Sequence, residues 1–302
     1  MAEQPSASSA GILYIVSTPI GNLADITLRA LDVLKTVGLV AAEDTRHTRK
    51  LLAHYGISVK LISCHEHNEQ ERAAQLAAKL SSGLSVALLS NAGTPTVSDP
   101  GYRVLQAAIA AGIRIVPIPG PSAAMTALSA AGLASDAFFF EGFLPQKGAK
   151  RTARLKQLAE MPATIIFYES PHRVIPLLEE VLELMGDCPV VLAREMTKRY
   201  EEFLRGRAAE VAAVLASRPA IKGELTLLVS GRQARGPDDS ENLRQAVSDA
   251  MAEGSTGSAR LSRDLSKRFG VPRNKIYEII LKLKQESTAD SSGKGESSHG
   301  ET

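Results

Sequence analysis

From residue 12 the chain alternates short apolar runs with stretches of helical period. ILYIVST (12–18), GLVAAE (38–43), KLISCH (60–65), SVALLS (85–90) and IRIVPI (113–118) have the length and β-branched content of buried strands. Between them, 25–36, 45–54, 68–81 and 101–111 carry apolar positions at helical spacing. Strands that alternate with helices build βαβ units, so this half predicts a mostly parallel sheet covered on both faces. PIPGPSAA (117–124) breaks the rhythm and starts a helix, with Pro121 near its first turn and Ser122 as a cap. A second series follows: strands AFFFEGF (137–143), ATIIFYES (163–170), PVVLARE (189–195) and ELTLLVS (224–230), with helices near 148–160, 171–185 and 206–217. The Pro/Gly punctuation at 119–121 divides two α/β domains, 11–119 and 120–232, and the cleft between them is the expected ligand site.

GRQARGPDDSEN (231–242) reads as a linker. Beyond it, 240–285 forms a third, small segment. Its core, ARLSRDLSKRFGVPRNKIYEIILKLK (259–284), predicts two short helices around GVP, with Leu261, Leu265 and Phe269 on one face and Ile276, Ile280 and Leu283 on the other. That is the pattern of a helix-turn-helix. The flanks 1–10 and 286–302 are too poor in apolar residues to repay ordering.

The 302 residues suffice for two domains and a small third, and a formal charge of +2 points to no polyanion by itself. Charge is local instead. Residues 259–284 carry eight basic side chains, Arg263 and Lys267 among them, against Asp264 and Glu278. Such a patch suits a phosphate backbone, or else it is the solvated face of a small helical domain. With 4% aromatic residues and no Trp, the interior must be aliphatic. Two distant cysteines, Cys64 and Cys188, exclude a disulfide framework and fit a reducing cytoplasm. The start has neither a basic nor an apolar targeting region, and no run approaches 18 apolar residues, so the chain reads as soluble and non-secreted.

Three loops that leave strand ends are rigid and bare: STPIGNL (17–23), SNAGTPTVSDPG (90–101) and PGPSA (119–123). Ligands of open α/β sheets bind outside the carboxyl ends of strands. Gly93, Gly101 and Gly120 let backbone approach a ligand, while Pro95, Pro100 and Pro121 fix the approach. The first loop has one Gly, in place of the three of a dinucleotide fingerprint, and no Walker-type Lys is present, which favours a neutral or zwitterionic cofactor held by backbone groups. AEDTRHTRKLLAHYG (42–56) leaves a strand and becomes a helix in which Arg46 and Lys50 share a face with Arg49 nearby, either as a solvated helix capped by Asp44 or as a phosphate contact. HEHNE (65–69) places His65 and His67 on one strand face, but no third ligand follows, so no metal is expected. His65 has the pKa range of a base. FYESPHR (167–173) and REMTKRYEE (194–202) present Tyr168, Glu169, Arg173 and Lys198, as structural pairs or as cleft residues of the second domain.

Taken in order, STPIGNL, AEDTRHTRKLL, HEHNE, AGTPTVSDPGYR, PIPGPSA, FYESPHR, AREMTK and KGELTLLV closely resemble the tetrapyrrole methylase superfamily. Within it they resemble the branch that 2'-O-methylates a cytidine of bacterial small-subunit ribosomal RNA. The match covers about 12–230, and the helix-turn-helix-like end also occurs in that branch. The resemblance implies S-adenosyl-L-methionine bound in a cleft between two α/β domains of a homodimer, with the small ribosomal subunit and its 16S rRNA as partner. By position, Pro19, Gly21, Asn91, Ala92, Gly93, Thr94, Ser122, Tyr168 and Glu224 would border the cofactor. Glu43, Asp44, Arg46 and His65 would be the catalytic group, with Glu43 or Asp44 assisting deprotonation of the target hydroxyl. Arg49, Lys50, Arg173, Lys198, Arg263 and Lys267 would meet RNA. The branch commonly has Asp where this chain has Asn91, so position 91 offers shape and hydrogen bonds without a charge. A C-methyltransferase acting on a tetrapyrrole and a non-enzymatic nucleic-acid-binding regulator are the alternative functions.

Overall fold

The structure is a computed structural model that describes residues 10–231, 237–252, 260–263, 265 and 276–283. Contacts divide the chain into one body up to Arg232 and a second from Gln233.

The first body holds two five-stranded sheets. The first is wholly parallel, in the order β3-β2-β4-β1-β5, from β1 (Ile12–Val16), β2 (Leu39–Ala42), β3 (Leu61–Ser63), β4 (Val86–Leu89) and β5 (Arg114–Ile118). Every residue of LVAA in β2 and VALL in β4 is buried, as expected of interior strands covered on both faces. α1 (Leu28–Thr36) and α2 (Thr45–His54) cover one face through Ala30, Leu34, Leu51 and Leu52. α3 (Glu69–Ser81) and α4 (Tyr102–Ala110) cover the other through Leu76, Leu80, Val104 and Ala108. β1 and β4 are therefore neighbours whose following helices leave to opposite faces. Their carboxyl ends form the topological switch point, where a crevice must open.

The second sheet is mixed. β6 (Phe138–Gly142) runs parallel to β7 (Thr164–Glu169), and β10 (Leu225–Val229), β8 (Pro189–Arg194) and β9 (Glu202–Arg207) continue antiparallel in the order β6-β7-β10-β8-β9. α6 (Ala149–Ala159), α7 (Val174–Met185) and α8 (Ala208–Ala216) pack one face around Phe167, Leu177, Val181 and Leu227. α5 (Ala123–Ala131) packs the other with Ala124, Ala127 and Leu128. Ile20, from the loop after β1, is buried in that same cluster beside Ile166 and Val191, so the first sheet's loop is pinned by the second sheet's core. β9 was not expected. Its sequence EFLRGR is nowhere fully buried, half-buried over Glu202–Leu204 and at Gly206 and exposed at Arg205 and Arg207, a pattern that an edge strand tolerates because only one side needs a partner.

In the second body α9 (Pro237–Ala252) begins within the stretch expected as linker, and Pro237 suits a first helical position. Leu243 and Val247 of α9 share a core with Leu261, Leu265, Ile276 and Ile280, so the two apolar faces read from the sequence meet one another. The GVP turn, Phe269, Lys267 and the segments 1–9 and 284–302 lie outside the described residues. Both cysteines are free, and burial pushes the Cys64 thiol up to about 11, which makes it inert.

Candidate active site in the crevice between the sheets

The three bare loops meet at the switch point and are stitched together. Thr18 and Gly93 exchange backbone hydrogen bonds of 2.8 and 2.9 Å, and the Thr18 hydroxyl donates to the Ser90 carbonyl at 3.2 Å. Ser17 Oγ and Thr94 Oγ1 lie 3.1 Å apart, and Thr94 Oγ1 donates to the Pro121 carbonyl at 3.2 Å. A Cβ on Gly120 would come within 2.9 Å of Ser17 Cβ, so the third loop can close on the first only at a glycine. Gly93 has φ +80°, the left-handed conformation that leaves backbone bare towards the cavity.

Between these loops and the second sheet lies a cavity of about 410 Å³, within the range of small-molecule sites. Ile20, Ala92, Gly93, Thr94 and the segment Val97–Asp99 line one side. Ser122 and Ala123, Phe143, the run Tyr168–Pro171 and the run Gly223–Thr226 line the other. Of the residues expected to border a cofactor, Ala92, Gly93, Thr94, Ser122, Tyr168 and Glu224 come together here.

Pro19, Gly21 and Asn91 lie outside the lining. Pro19 is buried, and a Cβ on Gly21 would strike Lys198 Cγ at 2.5 Å, so Gly21 admits the second sheet's loop rather than a ligand. Asn91 ties two strand ends. Its Oδ1 accepts from the Asp44 backbone N–H at 3.2 Å, and its own N–H donates to Glu43 Oε2 at 3.1 Å. An amide oxygen serves that bond as well as a carboxylate would.

None of the expected catalytic residues Glu43, Asp44, Arg46 and His65 lines the cavity. Asp44 caps α2, accepting from the Arg46 N–H at 2.8 Å, and pairs with the Arg46 guanidinium at 2.8 Å. Those bonds hold the Asp44 carboxyl far below the usual carboxylate range. It therefore takes up no proton near neutral pH, and its oxygens are engaged by the helix and by Arg46. His65 lies outside the cavity lining, and its Nδ1 is buried without a hydrogen-bond partner among the described residues. Asn68 closes the His65 loop by accepting from the His65 N–H at 2.8 Å. The loop's Glu69 is buried and accepts from the N–H groups of Gly101 and Arg103 at 3.0 and 2.6 Å, capping α4 and fixing the end of the 90–101 loop. HEHNE thus builds a cap, and no group of metal-binding side chains occurs among the described residues.

Arg46, His47, Arg49 and Lys50 are exposed along α2, whose N-cap Asp44 is bonded to Asn91, the neighbour in sequence of the cavity-lining Ala92. Arg173 and Lys198 spend their charge inside the protein. Arg173 lies 3.2 Å from the buried Glu169 and donates to the Leu144 carbonyl at 3.0 Å. Lys198 pairs with Glu195 at 2.8 Å and Glu224 at 3.0 Å, closing the cavity's lip. Arg263 is exposed in the second body.

One lining group escaped the sequence reading. Asp99 is half-buried on the cavity wall, and its carboxyl is pushed up to about 6, first by burial and then by the charge of Glu43, against a hydrogen bond from Ser90. In sequence it is the third residue of VSDPG and reads as a turn former; only the fold places it beside Glu43, Ser90 and Tyr168.

A wholly parallel sheet whose switch-point loops close, with a second mixed sheet, on one cavity defines a two-sheet α/β ligand-binding protein. The sequence model of the tetrapyrrole (corrin/porphyrin) methylases matches residues 12–212, and the chain belongs to that family. Among curated relatives, the "Ribosomal RNA small subunit methyltransferase I" of Escherichia coli O157:H7 is 47% identical over 92% of this chain and 97% of its own. The protein of that name from Vibrio cholerae serotype O1 is 53% identical over 76% and 80%. The fold is shared with the crystal structure of uroporphyrin III C-methyl transferase from Thermus thermophilus complexed with S-adenosylhomocysteine, at TM-score 0.54 and 21% identity, over 74% of this chain and 98% of that one.

Proposed function

We propose that this protein transfers the methyl group of S-adenosyl-L-methionine to a ribose 2'-hydroxyl of a cytidine in bacterial 16S rRNA of the small ribosomal subunit. The observation that carries the reading is likeness along nearly the whole length, 44–47% over 92% of the chain, to relatives named as small-subunit rRNA methyltransferases. The cavity fits the cofactor in size and in chemistry. Its walls offer bare backbone at Gly93 and Gly223, apolar contact from Ile20, Val97 and Phe143, and the first turn of α5 at Ser122–Ala123 for an anionic group. Bound there, the cofactor supplies an electrophilic methyl on a sulfonium.

The chain's own contribution is alignment. Holding acceptor and donor in line is worth roughly 10⁵–10⁸ M in effective molarity. Ala92, Gly93, Thr94, Ser122, Tyr168 and Glu224 hold the cofactor, and the exposed Arg46, Arg49 and Lys50 receive the RNA backbone next to the cavity mouth. The second body, with its basic stretch at 259–284, adds further phosphate contact. The working form is a homodimer in the cytoplasm, which light scattering on the purified protein tests. No helix among the described residues is long and apolar enough to cross a membrane.

The test offers labelled S-adenosylmethionine with two acceptors in parallel: small subunits that lack the modification, and a uroporphyrin-type tetrapyrrole. Label in the rRNA alone is expected. Label in the tetrapyrrole alone would replace this reading with the C-methyltransferase one.

A further inference from the structure

The loop that carries Asp99 is held in a costly conformation. Thr96 and Ser98 both have positive φ, +72° and +60°, which a β-branched Thr in particular adopts only under constraint. The constraints are visible on three sides. Thr94 is tied to the Pro121 carbonyl at 3.2 Å, and Gly101, at φ +126°, is held by Glu69 at 3.0 Å. A Cβ on Gly142 of β6 would lie 2.5 Å from Ser98 Oγ, so the second sheet leaves room for the loop by carrying a glycine. What this clamped loop presents to the cavity is Val97, Ser98 and Asp99.

Three carboxylates line the cavity, and two are compensated. Glu169 accepts from the Ser170 N–H at 2.7 Å and faces Arg173 at 3.2 Å and Arg151 at 3.8 Å. Glu224 faces Lys198 at 3.0 Å. Asp99 forms no ion pair among the described residues. Its electrostatic neighbours are the Ser90 hydroxyl at the end of β4, the Tyr168 phenol of β7 and a second carboxylate, Glu43, at the end of β2. A carboxylate kept partly from water, without a cation and beside a like charge is a better proton acceptor than an ordinary Asp. The direction of its shift, upward to about 6, agrees with that geometry.

We propose that Asp99 is the general base of the methyl transfer, an inference that rests on the rRNA methylation reading. Its carboxylate takes the proton as the acceptor's O–H bond breaks and the O–CH₃ bond forms. The CH₃–S bond of the sulfonium breaks at the same time, its electron pair stays on sulfur as a neutral thioether, and Asp99 later returns the proton to water. Asp44 cannot share this task while it caps α2 and pairs with Arg46, and Glu43 lies outside the cavity lining, with one carboxylate oxygen accepting from the Asn91 N–H.

The test compares wild type, Asp99→Asn and Asp99→Glu on unmodified small subunits across pH 5 to 9, with calorimetric affinities for S-adenosylmethionine and S-adenosylhomocysteine and a carbon-13 titration of the Asp99 carboxyl in the free protein. Expected are a carboxyl that titrates near 6 and a wild-type rate that falls below that pH. Asp99→Asn is expected to lose roughly 10²–10⁴ in rate and the acid limb, Asp99→Glu to recover part of it, and both cofactor affinities to stay within about threefold. Asp99→Asn at wild-type rate, or a selective loss of S-adenosylmethionine affinity over S-adenosylhomocysteine, overturns the assignment; the latter would make Asp99 the counter-charge of the sulfonium. A wild type that labels no rRNA removes the functional reading and this inference with it, whereas an active wild type beside an equally active Asp99→Asn removes this inference alone.

Discussion

A carboxylate kept without a cation in a half-buried cavity costs stability, and Asp99→Asn should reveal the cost. Its carboxyl is raised from 3.8 to about 6, so the folded state binds the proton more tightly than the unfolded chain. Below 3.8 both states are protonated and the shift costs nothing; between 3.8 and 6 the unfolded chain ionises while the folded state still holds its proton, so stability is lost as pH rises to the folded value and the full cost is present above it. The full shift corresponds to about 3 kcal/mol. Asp99 keeps partial contact with solvent, and screening there leaves about 1–2 kcal/mol. Asparagine preserves the shape and never ionises. At pH 7.5 the variant should therefore be the more stable protein by about 1–2 kcal/mol, a melting temperature roughly 2–8 °C higher for a body of this size. By pH 4 most of the advantage should be gone. Urea melts of both proteins at the two pH values measure it. A variant less stable than wild type at pH 7.5, or an advantage that ignores pH, would refute the reasoning and make Asp99 a structural residue. Gain of stability with loss of turnover is the signature of a group kept for chemistry.

Other expectations follow from the same geometry. Arg46→Ala removes an exposed guanidinium that among the described residues pairs with Asp44 alone, so RNA affinity should fall, with the salt dependence of binding reduced by about one ion, and calorimetry should find cofactor affinity unchanged. Glu69→Ala strips the acceptor from the buried Gly101 N–H and the partly buried Arg103 N–H; a loss of about 1–3 kcal/mol in urea melts and weaker cofactor binding are expected, since the 90–101 loop loses its anchor. Truncation after Arg232 removes the second body, and should weaken subunit binding in a filter assay while cofactor binding persists.

The parallel sheet was legible because its interior strands, LVAA and VALL, are apolar at every position and lie between turn-forming or polar residues, Gly38 and Asp44 for the one and Gly83 and Asn91 for the other, which leaves little else for them to be. The loops around the cavity were legible for a related reason: positive φ and close backbone approach restrict residue choice to glycine at Gly93 and Gly120, and such restrictions show in a sequence. β9 was hidden because an edge strand with one packed side needs no continuous apolar run. Whether Arg173 and Lys198 form structural pairs or meet RNA stayed open in the sequence, because the local spacings to Glu169 and Glu195 permit a pair without requiring one and Glu224 is brought to Lys198 only by the fold. Asp99 could not be distinguished from a turn residue, since its character comes from Glu43 and Tyr168, distant in sequence and adjacent through the pairing of β2 with β4 and the closure of the cavity.

Alignment of a ribose of small-subunit rRNA with the methyl group of the cofactor is the role proposed for the crevice. It is tested most directly by transferring labelled methyl from S-adenosylmethionine to small ribosomal subunits lacking the modification, then digesting the rRNA and locating the label. Label on the 2'-oxygen of one cytidine, resistant to alkaline cleavage at that nucleotide, is the result predicted here. Label on a base, or none while calorimetry finds the cofactor bound, would contradict the account.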